Sequence, residues 1–327
     1  MKNIPKWNQT VVDYYDKFYR DRCQALLAVD ELVDSIMGNA TQLNLMENTI
    51  FIYTSDNGYH IGQHRLPAGK SCAYEEDINV PFFIRGPGIA AGKNVTDPTS
   101  HTDIAPTLFD LAGIAPRSDF DGIAMPVRDT GTCVDRTSDR RGCRSYEDGS
   151  SAGKQEHINV EFWGSQLGEG QYGTVLVPTV NNNTYKAVRL ISADFNLAYV
   201  VWCTNERELY EMNNDPYQVQ NLANAANLGV AAPYNDANYI KRLQNRVDTL
   251  LMVTKTCKGK DCVQPWRVIH PAGDVNGLKD AMDSKYDIFY ADQQKVKLMG
   301  CAQGYIRELE GPGADRGDVK AYPTGSN

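Results

Sequence analysis

The stretch Asn48-Thr-Ile-Phe-Ile-Tyr-Thr-Ser55 is rich in β-branched and aromatic residues, and Asp56-Asn57-Gly58 follows it at once. The run is apolar enough to be buried on both faces, which is typical of a central strand in a parallel sheet. A second apolar run, Val80 to Ile84, comes after a polar loop over residues 59–77. Two buried strands joined by a long loop predict an α/β layered fold.

Helices are predicted on either side of these strands. Residues 10–37 carry apolar side chains at three- and four-residue steps, which predicts one long amphipathic helix that stops at Gly38-Asn39. Residues 103–112 predict a short helix, with Asp103 as its N-cap and Gly113 as its stop. This order of helix, strand, loop, strand and helix is that of an α/β domain.

The sequence changes character after Met125. Residues 128–156 are dense in Arg, Asp, Gly, Ser and Cys, which predicts a surface loop or insert. Three short β-branched and aromatic runs then predict an antiparallel sheet, and a last helical pattern follows them. The runs are Ile158 to Trp163, Tyr185 to Ile191 and Leu197 to Trp202, and the helix covers residues 239–255.

The charge balance restricts the partners that the chain can bind. Its formal net charge is -8 at pH 7, which makes it a poor non-specific binder of nucleic acid. No window approaches the roughly 18 consecutive apolar residues of a transmembrane helix, so no membrane span is predicted. An acidic chain also repels anionic substrates at long range. Any anion site must therefore be built locally from a few cationic side chains.

Cysteines and glycosylation acceptors point to the secretory pathway. The chain has eight cysteines, and Cys257 and Cys262 enclose a short polar loop that suits a disulfide. The alternative is a zinc site, but no second Cys/His pair follows at finger-like spacing. Cys133 and Cys143 bracket a similarly polar stretch. The Asn-x-Ser/Thr acceptors are Asn8, Asn39, Asn94 and Asn182.

The first residues, Met-Lys-Asn-Ile-Pro-Lys-Trp, contain no apolar signal-peptide core. An oxidised, secreted protein without a signal peptide is a contradiction. We therefore expect that an N-terminal segment is missing from this chain.

The residues that follow the first strand carry the chemistry. A carboxylate at Asp56 and an amide at Asn57 offer two hard oxygen donors at a strand end, which suits calcium better than a soft metal. Cationic or proton-donating side chains follow within a few residues and predict a local anion site. They are His60, His64, Arg65 and Lys70.

Each of these residues also has a purely structural interpretation. Asp-Asn-Gly alone is most often a turn, and His64, Arg65 or Lys70 can simply be solvated. Cys72 fits a buried thiol or half of a disulfide better than a nucleophile. Glu75, Glu76 and Asp77 fit a solvated loop rim better than a catalytic pair, and His101 begins a helix that it merely caps.

The resemblance to a known family is specific at this point. Four successive segments are similar to the sulfatase family. They are Thr54-Ser-Asp-Asn-Gly-Tyr-His-Ile-Gly-Gln-His-Arg-Leu66, Gly-Lys70, Tyr-Glu-Glu-Asp-Ile78 and Val-Pro-Phe-Phe-Ile-Arg-Gly-Pro-Gly88. Fungal arylsulfatases resemble it most, with N-acetylglucosamine-6-sulfatases as near relatives. Glu208 to Leu222 resembles the C-terminal hairpin of sulfatases, and Cys257 to Pro271 resembles the fungal group.

The resemblance implies a fold and a set of roles. The fold is the C-terminal part of an alkaline-phosphatase-like α/β sandwich with a smaller antiparallel-sheet subdomain and a packing helix. Asp56 and Asn57 are implied calcium ligands, and Lys70 is implied to bind the sulfate oxygens. His60, with His64, is implied to contact the sulfate or to protonate the leaving group. The implied substrate is a small aryl or sugar sulfate ester, and the implied location of the parent protein is secretory.

The composition along the chain and the resemblance together divide the chain into four regions. Residues 1–127 are the C-terminal part of the α/β catalytic domain, and 128–156 are the insert. Residues 157–310 are the C-terminal subdomain, and residues 311–327 are a disordered tail.

The family's nucleophile, a formylglycine, is made within Cys/Ser-x-Pro-x-Arg, and no cysteine or serine here begins that pattern. We therefore expect that this chain is a C-terminal portion and that it is inactive alone. Two alternatives remain open. One is a non-catalytic relic or sulfate-binding protein. The other is a phosphatase or phosphonate hydrolase of the same superfamily, although those enzymes commonly use zinc or manganese, and Asn57 argues against such a site.

Overall fold

A computed structural model of the chain describes residues 5–128, 155–173, 182–224, 231–313 and 318–323. These residues form two compact units. The first unit comprises the described residues within Met1–Asn94, Val127–Thr132 and Ser165–Val180. The second comprises those within Val95–Pro126, Cys133–Gly164 and Asn181–Asn327. Residues 95–126 therefore cluster with the second unit, and the domain boundary at residue 127 stays a prediction.

A long helix opens the first unit. Helix α1 covers Gln9–Gln42, and the Asn8 side chain caps it by accepting a hydrogen bond from the Val11 amide. The predicted stop at Gly38-Asn39 is wrong, because a glycine inside a helix costs only about 1 kcal/mol and its neighbours override it. The chain leaves the helix at Asn44, whose φ of 56° is typical of the residue that follows a helix.

The two predicted strands pair in the opposite sense to the prediction. Strands β1 (Phe51–Thr54) and β2 (Phe82–Arg85) form an antiparallel pair, and the short helix α2 (Glu75–Ile78) lies between them in the chain. Tyr53 and Phe83 are opposite each other and are 39% and 65% exposed. The expectation of parallel strands buried on both faces is therefore wrong for the described residues. Apolar composition predicts a strand but not its direction, and the long connection permits either.

A second short helix belongs to the other unit. Helix α3 (Ile104–Leu111) follows a 3-10 turn over His101–Asp103 and ends at Gly113, as predicted. Asp103 occupies the predicted N-cap position of α3, but its side chain makes no capping hydrogen bond there. Its carboxylate accepts a hydrogen bond from the Ser100 amide in a capping box, so Ser100 starts the helical segment.

The predicted antiparallel sheet is confirmed. Its four strands run in the order β3-β4-β5-β6, and every neighbouring pair is antiparallel. The strands are β3 (His157–Phe162), β4 (Tyr185–Ile191), β5 (Asn196–Trp202) and β6 (Arg207–Glu211). The central strands β4 and β5 are buried almost throughout. The sheet therefore forms one wall of the core of the second unit.

The predicted last helix packs on this sheet. Helix α4 (Ala237–Thr254) is capped by Asp236 and turns an apolar face into the core, with Leu243, Val247 and Leu250 fully buried. Four shorter helices follow it, and the last three of them contribute residues to this core. They are α5 (Lys260–Val263), α6 (Pro265–Ile269), α7 (Leu278–Ala281) and α8 (Asp287–Ala291).

Two disulfides lie among the described residues of the second unit. The predicted pair Cys257–Cys262 is bonded, and a second disulfide joins Cys203 to Cys301 across 98 residues. Among the described residues Cys72 is a buried free thiol, as predicted, and Cys23 is an exposed one. Cys133 and Cys143, with most of the predicted insert, lie outside the described residues.

The described parts of the predicted disordered tail are ordered. The Tyr322 amide donates to the Ile269 carbonyl at 2.7 Å, and the Tyr322 ring stacks on the His270 ring. Lys320 forms an ion pair with Asp292 at 2.8 Å. The prediction followed the Gly, Asp and Pro content of this segment and overlooked the tyrosine that holds it to the core. In the part of the chain that the structure describes, no helix is long and apolar enough to cross a membrane.

Candidate active site

Helix α1 holds the loop that follows β1. Val11 and Tyr15 of the helix pack against Ala68, and Trp7 stacks on Tyr15 with ring centroids 4.7 Å apart. The Arg22 guanidinium donates to the Tyr59 carbonyl and lies over the Tyr59 ring. The amphipathic pattern of the helix thus gives the polar loop an apolar support on one side.

The loop closes on itself through backbone hydrogen bonds. The Gly58 amide donates to the Asp77 carbonyl at 2.8 Å, and His60 and Gly69 exchange a pair of backbone hydrogen bonds at 2.9 and 3.1 Å. A Cβ atom at residue 58 would lie 2.0 Å from the Glu76 carbonyl oxygen, so only glycine allows this approach. The result is that Lys70 directly follows the residue that pairs with His60.

Asp56 and Asn57 lie at the carboxyl end of β1, as predicted. One Asp56 carboxylate oxygen accepts from the Asn57 amide at 2.9 Å, and the Asn57 side-chain nitrogen donates to the Gly58 carbonyl at 2.7 Å. Within the described residues, the other carboxylate oxygen and the Asn57 amide oxygen accept no hydrogen bond. Asp56 is exposed. Two uncommitted hard oxygen atoms at one turn fit a hard divalent cation such as Ca²⁺.

His60 is buried and bonded to a carboxylate. Its Nδ1 atom lies 2.8 Å from Asp77 Oδ1, and both side chains are only 2% exposed. The other carboxylate oxygen, Asp77 Oδ2, accepts from the Cys72 backbone amide at 2.7 Å. The interpretation of Asp77 as a solvated rim residue is therefore wrong. Its acidic neighbours suggested a solvated face, but the short helix α2 turns Asp77 inward while Glu75 and Glu76 are partly exposed.

The described residues include one buried group with metal-ligand chemistry, formed by His60, Cys72 and Asp77, whose donor atoms lie within 4.8 Å of one another. Both Asp77 oxygens and the His60 Nδ1 atom are already engaged in hydrogen bonds. This group is therefore a hydrogen-bonded pair beside a buried thiol.

His64 and Arg65 sit in a strained turn. Their φ values are 56° and 61°, and Ser71 just beyond Lys70 has a φ of 85°. Left-handed conformations in residues other than glycine cost about 1–3 kcal/mol each and tend to cluster at functional sites. The His64 ring stacks on Tyr74 with centroids 4.0 Å apart, and its Nε2 lies 3.8 Å from Glu76 Oε2. His64 is thus packed against the loop.

Lys70 is exposed, in contrast to its buried neighbour Gly69. The loop pairs the backbone of Gly69, the residue before Lys70, with that of His60, which the sequence spacing alone did not establish. The prediction that the Lys70 ammonium group and the Asp56-Asn57 oxygens act on the same ligand stays a prediction.

A segment that sequence reasoning missed lies against the loop. The Glu169 amide donates to the Ala68 carbonyl at 2.7 Å, and the Tyr59 hydroxyl donates to the Glu169 carboxylate at 2.7 Å. Burial, with help from the Glu169 carboxylate, raises the pKa of Tyr59 and keeps its phenol protonated. No local pattern identifies Glu169, because it is separated from Tyr59 by 110 residues.

With this geometry in place, comparison with known proteins defines the class. Residues 3–114, which contain every residue of the candidate site loop, match the sulfatase family model. The chain is 41% identical over 314 residues to sulfatase ppz1 of Metarhizium majus, covering 95% of this chain and 61% of that protein. It is 34% identical over 307 residues to an arylsulfatase of Volvox carteri, covering 92% of this chain and 44% of that one. Residues 3–114 therefore match the sulfatase family, and the chain is homologous to proteins named sulfatase and arylsulfatase.

One solved structure agrees on the fold. This structure shows a protein called BT4656 in complex with its substrate D-glucosamine-2-N,6-O-disulfate. Its TM-score with this chain is 0.55 at 22% sequence identity, and the match covers 78% of this chain and 43% of BT4656. This confirms the predicted alkaline-phosphatase-like α/β fold class. The chain spans about half the length of the curated relatives that it matches.

The four predicted glycosylation acceptors are accessible. Asn8, Asn39, Asn94 and Asn182 are all exposed, and the first two lie at the start and in the last turn of α1. Their use as acceptors stays a prediction.

Proposed function

We propose that this chain is part of a calcium-dependent sulfuric ester hydrolase of the arylsulfatase type. The observation that carries the proposal is the folded loop over residues 56–79. It sets an Asp-Asn oxygen pair at the end of β1, and it closes so that a lysine directly follows the partner of His60. The match of residues 3–114 to the sulfatase family model supports the same reaction.

Asp56 and Asn57 would supply part of the calcium shell. Their uncommitted oxygens have the hard character that Ca²⁺ requires, although the ion takes about six to eight ligands and this loop provides two of them. When bound, the ion withdraws electron density from the sulfate oxygens and stabilises the charge that develops on them.

Lys70 and the histidines would act on the sulfate group itself. An exposed ammonium group on the loop offers a point charge for the sulfate oxygens, in a chain whose average charge is negative. His60 is the candidate for moving a proton at the leaving oxygen, and His64, which packs against the same loop, is the candidate for a second contact.

The substrate would be a small aryl or sugar sulfate ester. The protein would act in the secretory pathway, which the two disulfides and four exposed glycosylation acceptors support.

Turnover by this chain alone is expected to be at background, because no Cys/Ser-x-Pro-x-Arg is present in it to supply the formylglycine nucleophile. The measurement is colorimetric hydrolysis of an aryl sulfate by the purified chain with added calcium, beside the Lys70→Met variant and beside an aryl phosphate. Background rates in all cases are the expected result. Clear aryl sulfate turnover that Lys70→Met abolishes would contradict the expected inactivity. Turnover of the phosphate alone would contradict the sulfatase assignment.

A further inference from the structure

The buried pair of His60 and Asp77 has a consequence for proton transfer, and the inference rests on the proposed function above. We propose that Asp77 is a positioning residue that fixes the Nδ1–H tautomer of His60. His60 then presents the lone pair of its Nε2 atom as the group that exchanges a proton at the candidate sulfate site.

The position of Asp77 is determined from several directions. Its side chain receives the Cys72 amide at 2.7 Å and faces His60 Nδ1 at 2.8 Å, while its own amide donates to the Tyr74 carbonyl at 2.9 Å. Its carbonyl accepts from the Gly58 amide at 2.8 Å. Four hydrogen bonds within one loop leave the carboxylate little freedom to turn away from the imidazole.

The direction of the hydrogen bond to His60 follows from the chemistry of the donors. A backbone amide can only donate, so Asp77 Oδ2 must accept from Cys72. An ionised carboxylate is an acceptor at both oxygens, so the hydrogen between Oδ1 and His60 must belong to Nδ1. In the neutral imidazole the Nε2 atom is then left with a lone pair.

The Nε2 atom of His60 is the one ring nitrogen of this pair without a hydrogen bond. It is buried and has no hydrogen-bond partner among the described residues. A Cβ atom on Gly69 would lie 3.4 Å from Nε2 and 3.1 Å from the Leu167 carbonyl oxygen, so the glycine before Lys70 keeps a side chain out of the space beside Nε2. A buried polar atom without a partner costs about 1–3 kcal/mol, which a ligand that supplies a hydrogen bond would recover.

The Asp77→Asn variant separates positioning from simple packing. The Cys72 amide still requires an acceptor, so the Asn oxygen stays on that side and the Asn NH₂ group turns toward His60. An NH₂ group can only donate, so His60 Nδ1 must become the acceptor and the hydrogen moves to Nε2. The side chain keeps its size and polarity while the tautomer of its neighbour reverses.

The test is a long-range ¹H–¹⁵N correlation spectrum of the histidine rings in the full chain, at a pH where the imidazoles are neutral. The chain has five histidines, and a His60→Gln variant assigns the signals of His60. The wild-type protein should show a protonated Nδ1 and an unprotonated Nε2 at His60, and Asp77→Asn should reverse that ratio.

The matched control is Asp103→Asn. Asp103 is also a buried aspartate that accepts two backbone amides, from Ser100 and Ile123, but it is not bonded to a histidine. The Asp103→Asn variant should be less stable than the wild type, and its His60 signals should be unchanged. The proposal is overturned if the wild-type ring carries its hydrogen on Nε2, or if Asp77→Asn keeps it on Nδ1. The histidine spectrum needs neither calcium nor turnover. A failure of this proposal can therefore be distinguished from a failure of the proposed function, which the hydrolysis assay and calcium binding test.

Discussion

Replacing both Cys203 and Cys301 by serine is expected to lower the free energy of unfolding of the second unit by about 4–5 kcal/mol. The disulfide closes a loop across 98 residues, and the entropy that a cross-link removes from the unfolded chain grows with loop length. Cys203 is buried directly after the central strand β5, so the bond also ties the sheet to a distant part of the chain. Chemical denaturation followed by tryptophan fluorescence measures the change, because Trp202 precedes Cys203.

The second disulfide provides the matched control. Cys257 and Cys262 are only 5 residues apart, so the same argument gives about 2 kcal/mol for the Cys257→Ser/Cys262→Ser variant. The expected order is therefore wild type, then the short-loop variant, then the long-loop variant. Equal denaturation midpoints for wild type and the Cys203→Ser/Cys301→Ser variant would show that the long disulfide does not constrain the unfolded chain.

Glu310→Gln is expected to destabilise the second unit by about 3–5 kcal/mol, because it leaves buried Lys255 without its carboxylate partner and buried Lys186 with Glu161 alone. The Glu310 carboxylate is 1% exposed and forms ion pairs with Lys186 at 2.7 Å and Lys255 at 3.1 Å. Lys186 also contacts the partly exposed Glu161. Burial lowers the pKa of both lysines, and the Glu310 carboxylate opposes that shift.

The pH dependence of this loss has a defined sign. Without Glu310 the folded-state pKa values of the two lysines fall further, so the folded protein releases protons that the unfolded chain still holds. Stability of the variant therefore rises with pH as the usual lysine pKa near 10.5 is approached, and its deficit relative to wild type shrinks. Denaturation midpoints from neutral to alkaline pH measure this trend.

Glu308→Gln makes the same chemical change two residues away on the exposed surface. It should alter stability by less than about 0.5 kcal/mol. A Glu310→Gln variant as stable as Glu308→Gln would mean that the buried ion pairs contribute nothing.

Much of the second unit could be predicted from local pattern. Strands β4 and β5 are rich in β-branched and aromatic residues, and this composition specified them as strands. Helix α4 carries its apolar residues at helical spacing, and this periodicity specified the helix. The pairing of Cys203 with Cys301 could not be predicted, because spacing says nothing about cysteines that meet only in the folded chain. Tyr322 was overlooked for the same reason, since its contacts with Ile269 and His270 are distant in sequence.

Local sequence could likewise identify some residues of the candidate site but not others. Asp56, Asn57, His60 and Lys70 were identifiable because they lie in one short segment directly after an apolar run. Asp77 was assigned to the solvent because it follows two glutamates, whereas the closing hydrogen bonds of the loop bury it against His60. The direction of β2 relative to β1 was also wrong, since composition does not specify strand direction.

The central claim is that the oxygen pair at the end of β1 binds a divalent cation. The most direct test is a calcium titration of the isotope-labelled chain followed by backbone amide shifts, with an Asp56→Ser/Asn57→Ser variant and an Asp16→Ser control on the exposed side of α1. We predict saturable shifts at residues 56–58 with a weak Kd, on the order of 10⁻³ M, which the double variant loses and the control retains. Identical calcium responses in the wild type and the double variant would contradict the account.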